Sequence, residues 1–97
     1  MPTYLSLLRW TQEGVHSVKN SPNRLDAGKK AFEAAGAKII SAHSLMGQYD
    51  MAILAEAPDD LTFARLGLAL AAQGFVRTES MRAFTEDEYR KIIPGIS

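Results

Sequence analysis

The chain contains no cysteine, which removes disulfides, thiolate metal sites and cysteine nucleophiles together and leaves the redox compartment open. It has no net charge either: eleven Lys and Arg offset eleven Asp and Glu, so no bulk field draws it toward nucleic acid or an anionic membrane. Lys29-Lys30 with Lys19 is the best local basic patch, and it shares its helix with Asp26 and Glu33. No apolar run approaches a membrane span. The start, Met1-Pro2-Thr3-Tyr4-Leu5, lacks the charged n-region and long apolar h-region of a signal peptide. A cytoplasmic address is therefore expected, with neither nucleic acid nor membrane as a partner. The glycines sit singly, so there is no Walker loop, dinucleotide fingerprint or nucleophile elbow. His16 and His43 are far apart, with no His-x-x-x-His or His-x-x-Glu pattern, so neither a metal nor a cofactor is expected.

What is present reads as one domain over residues 1–97, short enough that its own core must be thin. Thr3 to Trp10 is β-compatible, with Leu5 and Leu7 on one side against Tyr4, Leu8 and Trp10 on the other. A short turn of helix is expected around Val15 and Val18. Ser21-Pro22 then provides an N-cap and first helical residue, and Gly36 a stop. Ala37 to Met46 and Asp50 to Ala57 read as the next two strands. Asp59 or Asp60 caps a helix through Gln73, so apolar that it must face several neighbours or pack closely through Gly67 and its alanines. Phe75 to Phe84 is a fourth strand. Thr85 with Glu88 forms a capping box for a last helix, Glu86 to Ile93, stopped by Pro94 and Gly95.

The order β-α-β-β-α-β is the split βαβ arrangement of ferredoxin-like α+β domains. Right-handed crossovers place both main helices on one face of a four-stranded antiparallel sheet, with the first and third strands central. The opposite face is apolar and bare. An exposed apolar patch on a small protein marks an interface, and sheet-to-sheet pairing with a second copy, a dimeric α+β barrel, covers it most simply.

With that order in hand, further residues carry a resemblance. Pro2-Thr3-Tyr4, Gly47-Gln48-Tyr49-Asp50, Glu56-Ala57-Pro58-Asp59-Asp60, Val76-Arg77-Thr78-Glu79 and Ala83-Phe84-Thr85-Glu86 follow one another along nearly the whole chain. Together they resemble the GYD domain, a family of small prokaryotic proteins. The resemblance implies a ferredoxin-like fold and assembly similar to dimeric α+β barrels, and it brings no established catalytic residue with it.

Candidate chemistry centres on the Gly47 hairpin. A two-residue turn at Gly47-Gln48 opposes Met46 to Tyr49 and Leu45 to Asp50. His43 then faces Ala52, diagonal to Asp50 on the open face, while Tyr49 joins the helix-covered side. An acid beside an imidazole suits proton transfer; the plainer role for Asp50 is to hold the hairpin by accepting backbone N–H bonds, and for His43 to sit in an interface. Tyr4, Trp10 and Tyr49 suit the wall of a small-molecule pocket, or packing. Arg77 and Glu79 share a face at spacing for an ion pair that would blunt an edge strand, and Arg77 or Arg82 could instead take a carboxylate. Aromatic RNP motifs for RNA are missing from the strands.

Two functional readings follow. The first is a cytoplasmic homo-oligomer with a modest small-molecule cavity. The second is a cofactor-free enzyme of the monooxygenase or isomerase kind using His43 and Asp50, an analogy at the level of fold.

Overall fold

Alternation along β1 (Thr3–Trp10) divides the molecule into two sides. The computed structural model describes residues 1–97, and in it Tyr4 and Leu8 are buried while Leu5 and Leu7 are half-buried on the reverse. The other strands are β2 (Lys38–Ser44), β3 (Met51–Glu56) and β4 (Val76–Ala83). Their order across the sheet is β2-β3-β1-β4, with every neighbouring pair antiparallel. This is the sheet of the split βαβ arrangement, with β1 and β3 central as expected. The pairing of β2 with β3 shifts register between Ile39 and Ser41, a bulge in an edge strand.

The first helical segment comes in two pieces, α1 (Gln12–His16) and a 3-10 turn, Val18–Asn20. Thr11 caps α1 by accepting the Gly14 N–H. The 3-10 turn runs directly into α2 (Ser21–Ala34), so Asn20 takes the N-cap position and Ser21 and Pro22 are already helical. That corrects the expected cap at Ser21. Gly36, at φ 76°, stops α2 as expected, because a residue with a Cβ is strained there. Asp59 caps α3 (Asp60–Ala72) through the Thr62 N–H, and the Thr85–Glu88 capping box starts α4 (Glu86–Ile92). No helix is long and apolar enough to cross a membrane.

Both long helices lie on the Tyr4–Leu8 side. One cluster joins Tyr4, Ala37, Ala55, Ala57 and Phe63, with Phe32 and Leu66 against it; a second joins Leu8, Ile53 and Val76 under Leu25 and Leu70. Tyr4 stacks on Phe63 with ring centroids 4.0 Å apart and planes 3° from parallel, and Phe32 meets Phe63 edge-on. Only 10 of 97 residues are buried, so the single chain leaves unusually much apolar surface in water. The radius of gyration, 14.5 Å, exceeds the roughly 12.5 Å expected for a compact domain of this length. The C-terminal segment is loosely attached: the main neighbour of α4 is the 3-10 turn that continues it, Ile93–Gly95, and Phe84, Tyr89, Ile92 and Ile96 are exposed.

Two kinds of glycine occur in the helices. A Cβ on Gly14 would lie 2.0 Å from the Phe75 carbonyl oxygen, so the close approach of α1 to the chain before β4 requires glycine there. Gly28 in α2 and Gly67 in α3 are different, since a Cβ at either meets nothing within 4 Å. The close packing expected through Gly67 is thus not found. Leu61 and Leu68 of the same helix face outward, at 62% and 72% exposure. A helix-interior glycine costs about 1 kcal/mol relative to alanine. Gly67→Ala is therefore expected to raise unfolding free energy by about 1 kcal/mol, and Gly14→Ala to lower it by about 1–3 kcal/mol through overpacking. Urea melts of the two variants beside the wild type measure both signs.

Candidate functional site

The open side of the sheet is built from the odd residues of β1 and their cross-strand partners. Leu5 lies between Leu54 of β3 and Met81 of β4, and Leu7 between Ala52 and Glu79. Leu54, Leu5, Met81, Leu7 and Ala52 form an apolar strip bounded by Glu79, with Met81 at 41% exposure, and neither long helix packs on it. His43 stands opposite Ala52 and Ser44 opposite Met51, the pairing the sequence predicts for the hairpin.

The turn itself differs. The ladder is prolonged by the Leu45 N–H donating to the Asp50 carbonyl at 2.8 Å, but no hydrogen bond closes Met46 to Tyr49. Gly47 has φ 150°, away from the values a two-residue turn uses. The cause is Asp50. Its N–H donates to the Leu8 carbonyl at 2.8 Å, and its Oδ2 accepts the Trp10 N–H at 2.9 Å, so the chain is drawn toward β1 before a tight turn can close. Tyr49 consequently leaves the strand and lies on the open side rather than with the helices. Its hydroxyl donates to Glu79 Oε2 at 2.5 Å, and the Arg9 guanidinium sits 4.7 Å from its ring centroid while donating to the Gln48 carbonyl. The hydrogen bond to Glu79 raises the Tyr49 phenol above its ordinary value.

The remaining candidates separate. No hydrogen bond joins His43 to Asp50, whose carboxylate is committed to Trp10. Glu79 is engaged by Tyr49, and Arg77 forms no ion pair with it, so the expected edge-strand pair is absent. Arg82 donates to the carbonyls of Thr3 and Ala83 and covers the Phe84 ring. The three aromatic residues do not meet. Tyr4 is in the core, where its hydroxyl donates to Asp60 Oδ1 at 2.5 Å; Tyr49 is on the open face; Trp10 alone lines a cavity. No group of three or more His, Asp or Glu side chains comes together.

That cavity, of about 160 Å³, lies between the sheet and helices α2 and α3. Its walls are mainly apolar, with Leu8, Ile53, Leu70 and Val76 among them. Neither His43 nor Asp50 borders it. Arg24 does, a residue that the sequence reading passed over; the signal was its spacing, since Arg24, Gly28 and Phe32 recur every fourth position and all three reach the same cavity.

Two consequences can be measured here. Burial, aided by Asp60, pushes the Tyr4 phenol up from 10.0 to about 12. Below pH 10 the phenol is protonated in both the folded and the unfolded chain. Between 10 and 12 only the folded chain keeps the proton, so stability falls as pH rises through that window. Tyr4→Phe is expected to flatten the alkaline decline in urea midpoint, and an unchanged slope would refute the assignment. Asp50→Ala should lose about 1–2 kcal/mol by leaving the Trp10 N–H without its acceptor, whereas Asp50→Asn, which retains an acceptor oxygen, should lose less; equilibrium unfolding separates them.

Comparison with known proteins adds three findings. The family model described as the GYD domain matches residues 4–93. A protein of Thermus thermophilus named "Glutamine synthetase and cystathionine beta-lyase binding protein" is 31% identical over 84 residues, covering 86% of this chain and 88% of that protein. The crystal structure of TTHA0845, also from Thermus thermophilus, superposes with a TM-score of 0.56 at 23% identity, covering 88% of this chain and 95% of the other, and shows likeness of fold.

Proposed function

This chain belongs to the GYD domain family, and on that footing we propose that it is a cytoplasmic homo-oligomer whose open sheet face is covered by a second copy and whose helix layer encloses a modest small-molecule cavity. The observation that carries the assembly is the row Leu54–Leu5–Met81, continued by Leu7 and Ala52 and left uncovered by both long helices. A chain with only 10 of 97 residues buried gains most by hiding such a strip. A two-fold pair of like faces does so with one patch. The rim of the strip is suited to the role. Arg9, Tyr49 and Glu79 hold each other in place at its edge, so the polar groups that a partner would meet are already ordered.

The relative's name speaks of binding two enzymes. What we carry to this chain is the kind of partner, another protein, and the supporting surface is the C-terminal segment. Tyr89 and Ile92 of α4, and Ile96 just beyond it, are exposed there, on a segment that makes little contact with the rest of its own domain.

Light scattering over a dilution series tests the assembly. A dimer or a higher multiple is expected at micromolar concentration. Leu54→Arg, which would place two like charges in a two-fold interface, should weaken association by about 100-fold or more. A compact wild-type monomer at micromolar concentration would remove the reading.

A further inference from the structure

We propose that the cavity beneath the helices binds a small apolar monocarboxylate, about the size of one substituted aromatic ring, with Arg24 taking the carboxylate. This rests on the reading of the cavity as a ligand site and adds the class of ligand and the residue that selects it.

Arg24 is the only charged residue in the cavity lining. Its guanidinium is held by two residues: Nη1 donates to the Ser17 carbonyl at 3.1 Å and to Ser17 Oγ at 3.2 Å, and the guanidinium carbon lies 4.2 Å from the Phe75 ring centroid. Nη2 has no hydrogen-bond partner and is closed to water in the unliganded chain, so a carboxylate in the cavity reaches it as the Arg24 side chain shifts toward the ligand. No carboxylate of the chain comes within ion-pair distance, the one such pair being Arg90 with Glu86. A buried donor on a cation without an acceptor is unfavourable, and native structures supply the partner. A carboxylate fits a guanidinium fork through two parallel N–H bonds. One fixed cation also sets the ligand's charge: a monoanion is neutralised, whereas a dianion such as phosphate would bury an unbalanced charge.

The rest of the cavity specifies the ligand's body. At about 160 Å³ it matches the roughly 150 Å³ of an engineered apolar cavity that admits benzene. Gly28 and Gly67, one from each long helix, border it, and a Cβ on either would meet nothing within 4 Å. Neither glycine is required by packing or by a positive φ. Both withhold side-chain volume from the same space, at positions where helix formation favours alanine. The other polar groups of the wall are partly spoken for, since the Ser6 and Ser80 hydroxyls bond each other at 2.7 Å. Ser21, Gln73 and Thr78 also border the space, whose wall is otherwise mainly apolar and carries Arg24 as its one charge.

Trp10, the only tryptophan of the chain, lines the cavity and reports its occupancy. Phenylacetate titrated into the full chain should change Trp10 emission saturably and raise the melting temperature. It should bind at least about tenfold more tightly than phenylacetamide, its neutral counterpart. Arg24→Met should lower phenylacetate affinity by about tenfold and leave phenylacetamide affinity nearly unchanged. Gly67→Leu, which fills the space and leaves Arg24 in place, should abolish both responses and serves if the arginine variant does not fold. Equal binding of acid and amide, or phenylacetate binding indifferent to Arg24→Met, overturns the carboxylate assignment while the cavity reading stands. No response to either compound at millimolar concentration overturns both.

Discussion

The tie between β1 and α3 through Tyr4 is what the rest of the structure depends on. The ring lies flat on Phe63, and the hydroxyl reaches Asp60 in the first turn of the same helix. One side chain thus fixes both the distance of the helix from the sheet and its position along the strand. Because Tyr4 commits the even residues of β1 to the helix layer, Leu5 and Leu7 must face the other way. The bare strip on the reverse follows from that commitment. So does the cavity, which occupies the part of the helix–sheet gap that the Tyr4–Phe63 stack does not fill.

Most of the fold was legible because local chemistry and long-range pairing agree. Gly36 and Gly74 adopt the positive φ that helix endings use, and Thr85 with Glu88 forms the capping box that their spacing advertises. The strand order follows from element order and crossover handedness. The hairpin shows where such reading stops. Its register was recoverable, since Ser44–Met51 and His43–Ala52 obey alternation. Its turn was not, because the decisive partners of Asp50 are backbone groups of Leu8 and Trp10 on a strand some forty positions earlier. Nothing local to Gly47 announces that pull, and Tyr49 changes face as a result.

The candidate site was less legible than the fold. Tyr4, Trp10 and Tyr49 looked alike as aromatic residues of strands, yet one stacks in the core, one borders the cavity and one lies on the open face. Arg24 illustrates the converse. In sequence it is an ordinary cation in a charged helix, and what sets it apart is a buried, unpartnered Nη2 on a residue that lines an apolar cavity. Absence of a partner is a property of three dimensions that spacing along a helix can suggest only weakly.

The kink in β2, where pairing with β3 slips between Ile39 and Ser41, bears on how the sheet could be extended by another strand. β2 forms one margin of the sheet, and a flat margin is a template onto which strands of other molecules can zip without limit. A slipped register interrupts the regular row of N–H and C=O groups that such zipping needs. Lateral polymerisation is thereby disfavoured, and the greasy broadside is left as the surface through which a finite, closed complex can form.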